Sequence, residues 1–303
     1  MRPERVLPTR VYRFYRGGAL IDRLRGEPEH DDVYPEDWVG SVVAANNPGR
    51  DEPFAGLSRL QRGPFVRDAI REQRDAWGTP SLLVKLLDPV ERLPVHAHPT
   101  REFARAQLGS DYGKTEAWLF VDAREGTSEA WLGLREAVDP QEYRSWIDRQ
   151  DVDALLGSLN RLTVNPGDLL YVPAGVPHAI GGGALIVELQ EPTDFSIVCE
   201  WSGFPIAPDD AHLGLGWETA LDALDLNAFE PSLGLPTEAA EFFSVDDRAE
   251  PGGRFGVLLV LEGEGELAGE RVRPGDAFVL PAACEPFEVR GDIRVIRCLG
   301  GSA

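Results

Sequence analysis

The stretch NPGDLLYVPAGVPH, residues 165–178, returns 108 positions later as RPGDAFVLPAACEP, residues 273–286. In both copies a Pro-Gly-Asp turn feeds a short apolar run that ends in Pro-Ala. Such a run has the length of a strand, and the turn ahead of it is a local break signal. Repetition of one turn-and-strand unit implies two similar β units in tandem. It also constrains what the second copy can do, because Pro286 stands where the first copy has His178.

The rest of the chain agrees with a β architecture. Short apolar runs recur between turn signals at 81–87, 116–123, 168–174, 184–190, 255–263 and 276–282. The 32 glycines and 24 prolines fall singly between such runs, which suits a turn-rich β protein better than a helix bundle. Helical patterning is confined to residues 65–76, 140–157 and 217–226. The second of these opens with Asp139 as an N-cap and Pro140 at the first helical position. Mostly strands with few helices predict a mainly β fold of sandwich or barrel type.

Charge narrows the partners. A net charge of −21 argues against nucleic acid, whose phosphates need clustered Lys and Arg. It also repels an anionic ligand at long range, so any such ligand needs a local cation. No run approaches the length of a membrane span, and the charged N-terminus MRPERVLPTRVYRF has no apolar signal-peptide core. Cys199, Cys284 and Cys298 show no metal spacing and are odd in number, so a reducing, cytoplasmic setting is expected. The sequence does not specify an oligomeric state. Of 30 basic residues only Lys85 and Lys114 are lysine. A chain that otherwise uses arginine for positive charge keeps a lysine where a compact, titratable ammonium is needed.

Three of the five histidines, His96, His98 and His178, sit in just two stretches, PVHAHP and YVPAGVPHA. On an extended backbone residues i and i+2 share a face, so His96 and His98 project side by side. Glu116, opening the EAWLFVDA run, offers a carboxylate. Three imidazoles and a carboxylate suit a borderline divalent metal, Zn²⁺ first, with Fe²⁺, Mn²⁺ or Ni²⁺ also accommodated.

The His-x-His pair with a following Glu, and the Pro-x-Gly-x-x-His turn at 173–178, resemble the two motifs of the cupin barrel. A longer set is similar, in order, to type I phosphomannose isomerase: EDWVGS (36–41), SLLVKLLDPVERLPVHAHP (81–99), GKTEAW (113–118) and NPGDLLYVPAGVPHAIGGGALIVELQEPTD (165–194). The resemblance covers most of the chain. It implies two cupin-like jelly-roll units with a few short helices: a metal-binding unit at 1–210 with helical insertions, and a degenerate, metal-free unit at 211–303. It also implies one divalent metal per chain, Zn²⁺, on His96, His98, Glu116 and His178, with His96 standing where the family has Gln.

The activity so implied is a metal-dependent aldose–ketose isomerase, mannose 6-phosphate to fructose 6-phosphate. Isomerisation of another or an unphosphorylated sugar, or plain sugar binding by a non-catalytic cupin, are the alternatives. Lys114, two residues before Glu116, and Asp194, ending ELQEPTD, map onto the family's proton-transfer residues. Lys85, Glu188 and Gln190 are the candidate contacts to sugar hydroxyls. Two departures bear on the substrate: Val198 stands where the family has an arginine, and Arg16 stands where it has the Trp of Trp-Gly-Gly. Arg16 is therefore the candidate cation for a phosphate.

Overall fold

The computed structural model describes residues 1–47 and 49–301. Every ladder between named strands is antiparallel. One sheet of six runs in the order Arg10–Val11, Glu36–Val39, Leu83–Leu87, Ala184–Gln190, Glu116–Ala123 and Leu169–Val172. A sheet of five, in the order Ile197–Val198, His96–Ala97, His178–Ile180, Ser128–Leu134 and Leu159–Val164, completes the first unit. The third sheet runs Glu4–Val6, Ala277–Leu280, Gly256–Leu267, Val289–Gly300 and Phe243–Asp246, with Glu270–Val272 paired to Gly256–Leu267. The fold is mainly β, with few short helices, as the turn-punctuated sequence predicts.

The internal repeat is a repeat of hydrogen bonds. In the first copy the Asp168 carboxylate accepts from Asn165 N at 2.8 Å, and Gly167 N donates to Phe120 O at 2.7 Å. In the second, Asp276 accepts from Arg273 N at 2.9 Å, and Gly275 N donates to Val260 O at 2.8 Å. Gly167 and Gly275 both lie at positive φ, 99° and 85°, where a Cβ would be strained. Strand register extends the equivalence. Glu116 faces Val172 in the first unit, and Gly256 faces the matching Leu280 in the second. The second unit therefore carries Gly256 and Pro286 where the first carries Glu116 and His178.

Period-two alternation divides the six-stranded sheet into two working faces. Asp37, Val39, Val84, Leu86, Ala117, Leu185, Val187 and Leu189 point one way. All but Asp37 join Val257, Leu259, Val279 and Ile296 of the third sheet in the largest core. Trp38, Leu83, Leu87, Trp118, Phe120 and Ile186 point the other way, into the first unit. The seam between units is pinned by one buried ion pair. Arg25 Nε lies 2.6 Å from Asp37 Oδ2, and Arg25 Nη1 donates to Gly275 O at 2.5 Å.

The division expected at 210/211 falls within chain that still packs on the first unit. Ala220 and Ala223 bury with Ile197, and Leu134 and Leu170 form isolated bridges to Ala228 and Leu233. The third sheet takes its chain from Phe243 onward and recruits the N-terminal Glu4–Val6. All three expected helices are also broken or shortened. The 140–157 pattern splits into Pro140–Arg149 and Val152–Gly157, because Gln150 turns left-handed at φ 48°. Its side-chain oxygen there accepts from Trp201 N and Ser202 N, tying the helix to the chain after Val198. The 65–76 pattern breaks at Gln73, and 217–226 is α-helical over Trp217–Ala220 and continues as a 3₁₀ helix over Leu221–Ala223. Asp139 does cap its helix, accepting from Gln141 N at 2.8 Å. Among the described residues no helix is long and apolar enough to cross a membrane.

Removing Arg25 leaves the Asp37 charge buried without its ion-pair partner. Arg25→Met is expected to lower unfolding stability by roughly 3–5 kcal/mol in a denaturant titration.

Candidate metal centre and active site

His96, Ala97 and His98 leave the five-stranded sheet beside His178, whose Cα partner in the ladder is His96. Each imidazole is fixed by a backbone carbonyl at Nδ1: Pro94 O for His96, Phe195 O for His98 and Val176 O for His178, all at 2.8 Å. A carbonyl can only accept, so each Nδ1 carries the proton and each Nε2 presents a lone pair. Burial drives all three imidazoles toward the neutral form, His96 down to about 3 and the other two well below the usual value.

The ligand atoms of the three histidines lie within 4.8 Å of one another. His96 Nε2 and His178 Nε2 are 3.0 Å apart with no proton to place between them. Glu116, opening its strand on the inner face, approaches His98 Nε2 at 3.2 Å and His178 Nε2 at 3.4 Å. Its Oε1 accepts from Trp118 Nε1, while its buried Oε2 accepts no hydrogen bond from the described residues. Lone pairs aimed at one point with an orphaned carboxylate oxygen repel one another unless a cation lies among them. Four-coordinate zinc, with bonds of roughly 2.0–2.1 Å, holds its ligand atoms roughly 3.3 Å apart. The donor set fits a divalent metal.

Lys114 adjoins this cluster, its Nζ 3.0 Å from His98 Nε2 and 3.4 Å from Glu116 Oε2. With His96 it lines a cavity of about 300 Å³ between the two sheets of the first unit. Lys85, Glu188 and Asp194 line the same cavity. Glu188, on the inner face of its strand, is buried and lies 3.2 Å from Lys85, which also reaches Glu36 at 4.0 Å. One ammonium thus serves two carboxylates. Burial pushes Glu188 up to about 7 despite Lys85. Burial pulls Lys85 down, but Glu188 and Glu36 outweigh it and leave the ammonium above its usual value.

Asp194 is held by a residue the sequence did not single out. Arg13 donates through Nη1 and Nη2 to the two oxygens of Asp194, at 3.1 and 2.5 Å, and its Nε lies 2.9 Å from Glu36 Oε1. Asn46 N adds a third donor to Asp194 at 2.8 Å. Glu36 in turn accepts from Tyr15 Oη at 2.5 Å and Trp38 Nε1 at 2.6 Å. Burial pushes Glu36 up, but Arg13, Lys85 and these two donors prevail and hold it at about 2. One of 28 arginines gives no signal of its own. The signal available was Glu36, an acid in the strand EDWV that alternation places beside Trp38 on the inner face.

Two other candidates lie elsewhere. Arg16 is two-thirds exposed and ion-paired to Asp32, outside the residues that line the cavity. Gln190 is fully buried behind the wall; its amide donates to Glu191 O and Thr193 O, holding the turn that delivers Asp194.

No family model matches the chain. Individual relatives do. The mannose-6-phosphate isomerase of Streptococcus mutans is 30% identical over 307 residues, covering 91% of this chain and 92% of that protein. The chain belongs to the type I phosphomannose isomerase family. A mannose-6-phosphate isomerase of Bacillus subtilis is 29% identical over 235 residues, 69% of this chain and 72% of that one. The crystal structure of the mannose 6-phosphate isomerase from Bacillus subtilis superposes with a TM-score of 0.76 at 25% identity, over 98% of this chain and 99% of that. Membership makes the protein an isomerase.

Glu36 and Glu188 give stability opposite pH dependences. Glu36, at about 2 when folded against an ordinary 4.5, stays ionised where the unfolded chain would bind a proton. Its stabilisation is complete above pH 4.5 and is lost as pH falls toward 2. Glu188, raised from 4.5 to about 7, does the reverse: its favourable contribution is present below pH 4.5 and lost as pH rises through 7. Glu36→Gln should flatten the acid limb of the unfolding free energy measured against pH. Glu188→Gln should remove the decline between pH 4.5 and 7.

Proposed function

We propose that the chain interconverts mannose 6-phosphate and fructose 6-phosphate with one divalent metal, zinc, held by His96, His98, Glu116 and His178. The observation that carries this reading is the convergence of three Nε2 lone pairs and an orphaned Glu116 oxygen beside Lys114 and a carboxylate-lined cavity. The names of the relatives support the substrate pair. When bound, the metal supplies a Lewis acid for the negative charge that develops on the sugar's C1 and C2 oxygens.

Aldose–ketose conversion moves a proton between C2 and C1 and another between O2 and O1, most simply through an enediol. Lys114 is the group placed to carry a proton, since its ammonium sits at the cavity wall next to the metal ligands. Asp194 is the second proton-transfer candidate, and its orientation is fixed because Arg13 grips both its oxygens. Glu188 and Lys85 present an acceptor and a donor to the remaining hydroxyls. Gln190 supports the turn before Asp194 rather than reaching the sugar itself. Burial of the whole array excludes water from a reactive intermediate.

A coupled assay on purified, metal-loaded protein tests the activity, with mannose 6-phosphate consumption expected and chelation abolishing it. Metal analysis should find one equivalent per chain, lost in the His98→Ala plus His178→Ala variant; two equivalents would contradict the second unit's Gly256 and Pro286. Lys114→Met is expected to lower kcat by roughly 10²–10⁴-fold with the metal retained. Lys114→Arg should not restore the rate, because a guanidinium does not release its proton near neutral pH.

A further inference from the structure

The ladder between Glu116–Ala123 and Ala184–Gln190 ends at the pair Gln190 and Glu116, and beyond it the pairing changes character. Glu191 N donates to Thr115 O at 3.1 Å, as the next antiparallel pair requires. The Glu191 carbonyl, which would accept from Thr115 N in return, accepts from Thr193 N at 2.7 Å and from Gln190 Nε2 at 3.0 Å instead. Thr115 N donates to the Glu191 side chain, 3.0 Å from Oε2. A carboxylate thus stands in for a main-chain partner where the chain turns toward Asp194.

Thr115 sits between Lys114 and Glu116, so a bond to its peptide N–H steadies the backbone that carries both. The ammonium of Lys114 rides on a flexible four-carbon stem, and where it can reach depends on its Cα. Two peptide groups hold that Cα: Lys114 N donates to Pro99 O at 3.0 Å, and Thr115 N donates to Glu191. Thr193 Oγ1 ties the same segment by donating to Gly113 O at 2.6 Å. Glu191 is fully buried, and a carboxylate there needs a counter-charge. Arg101, three residues after His98, supplies it, with Nε 2.5 Å from Oε1. Arg101 has a second partner in Glu241 at 2.8 Å, and its guanidinium lies over the Phe242 ring at 4.5 Å.

We propose that Glu191 is a positioning residue for the isomerisation: by holding Thr115 N, its carboxylate sets the place of the Lys114 ammonium beside His98 and Glu116. The proposal rests on the assignment of proton transfer to Lys114. Glu191 lies outside the residues that line the cavity, so it acts on the sugar only through the chain it holds. Its carbonyl secures the turn before Asp194 at the same time, which ties both proton-transfer candidates to one buried residue. A reacting group displaced by about 1 Å costs on the order of a hundredfold in rate. Lys85 and Glu188, which face the sugar hydroxyls, make no contact with Glu191 and keep their own ion pair. Loss of the Glu191 carboxylate therefore falls on the chemical step and spares binding.

The test measures kcat and KM for mannose 6-phosphate, with metal content alongside, in metal-loaded Glu191→Met, Glu191→Gln, Lys114→Met and the Glu191→Met plus Lys114→Met pair. Glu191→Met keeps the side-chain length and removes the acceptor. Its kcat is expected to fall roughly 10–100-fold, with KM changed less than about threefold and the metal retained. Glu191→Gln keeps an oxygen for Thr115 N while Arg101 keeps Glu241, so it should recover most of that loss. Groups that act as a unit are non-additive, so Glu191→Met should cost less than about twofold more once Lys114 is Met. Should Glu191→Met not fold, Glu191→Asp takes its place with the same expected loss, because it keeps a charge for Arg101 but is one methylene too short to hold Thr115 N as well. Unchanged kcat, a loss carried by KM, departure of the metal, or losses that multiply in the paired variant overturn the proposal alone. Normal kcat in Lys114→Met, or no turnover by the unaltered protein, overturns the proton-transfer reading and the proposal with it.

Discussion

One sheet with two usable faces organises this protein. Because strand side chains alternate with a period of two, Glu36–Val39, Leu83–Leu87, Glu116–Ala123 and Ala184–Gln190 each send apolar residues outward and a mixture of large and charged residues inward. The outward face is buried against the third sheet, so the strands are covered on both sides. A doubly covered sheet is what holds Lys85 and Glu36 in place as buried charges. A buried ion survives only if its partners stay within hydrogen-bonding reach, and a floppy strand would lose that reach.

The inner face is a chain of shared charges rather than a set of separate pairs. Glu36 touches Arg13 and approaches Lys85, Lys85 touches Glu188, and Arg13 hands both oxygens of Asp194 a fixed direction. Trp38 lies under this array, with Arg13 and Lys85 both over its ring at 5.3 and 4.9 Å. Cation–π attraction and the Trp38 Nε1 hydrogen bond to Glu36 make the indole a floor for both cations. Across the cavity each of the three imidazoles is oriented by a backbone carbonyl at 2.8 Å, with Ser196 Oγ a longer second contact to His98, so their direction is set mainly by the backbone of the barrel itself.

Much of this was legible in the chain. The PGD echo marked two equivalent turns, and His-x-His with Glu116 and His178 marked the cluster, because these depend on local geometry and short spacings. The strands at 116–123 and 184–190 were readable to the residue as short apolar runs between turn signals. What could not be read depends on chain crossing. Arg13 and Asp194 are 181 residues apart and meet only when the sheet forms. Gln150 ends a helix for the sake of Trp201 N, a tertiary bond that overrides good helical periodicity. Arg16 was placed by analogy with a tryptophan, yet its charge takes it to Asp32 at the surface. The unit boundary was set from the first unit's motifs, which carry no information about where Ala220 and Ala223 pack.

The strand Glu4–Val6 has a consequence for how the chain comes to be folded. Its ladder partners are Ala277–Val279, so this strand cannot pair until chain far along the sequence is available to it. Loop closure over that separation is slow and entropically costly, and β topologies dominated by distant contacts fold accordingly. Until the third sheet docks, the outward faces of Leu83–Leu87 and Ala184–Gln190 remain bare apolar surface, prone to stray association. The second unit, which lacks Glu116 and His178 equivalents and does no chemistry of its own on the metal reading, thereby acts as the lid on the first unit's folding.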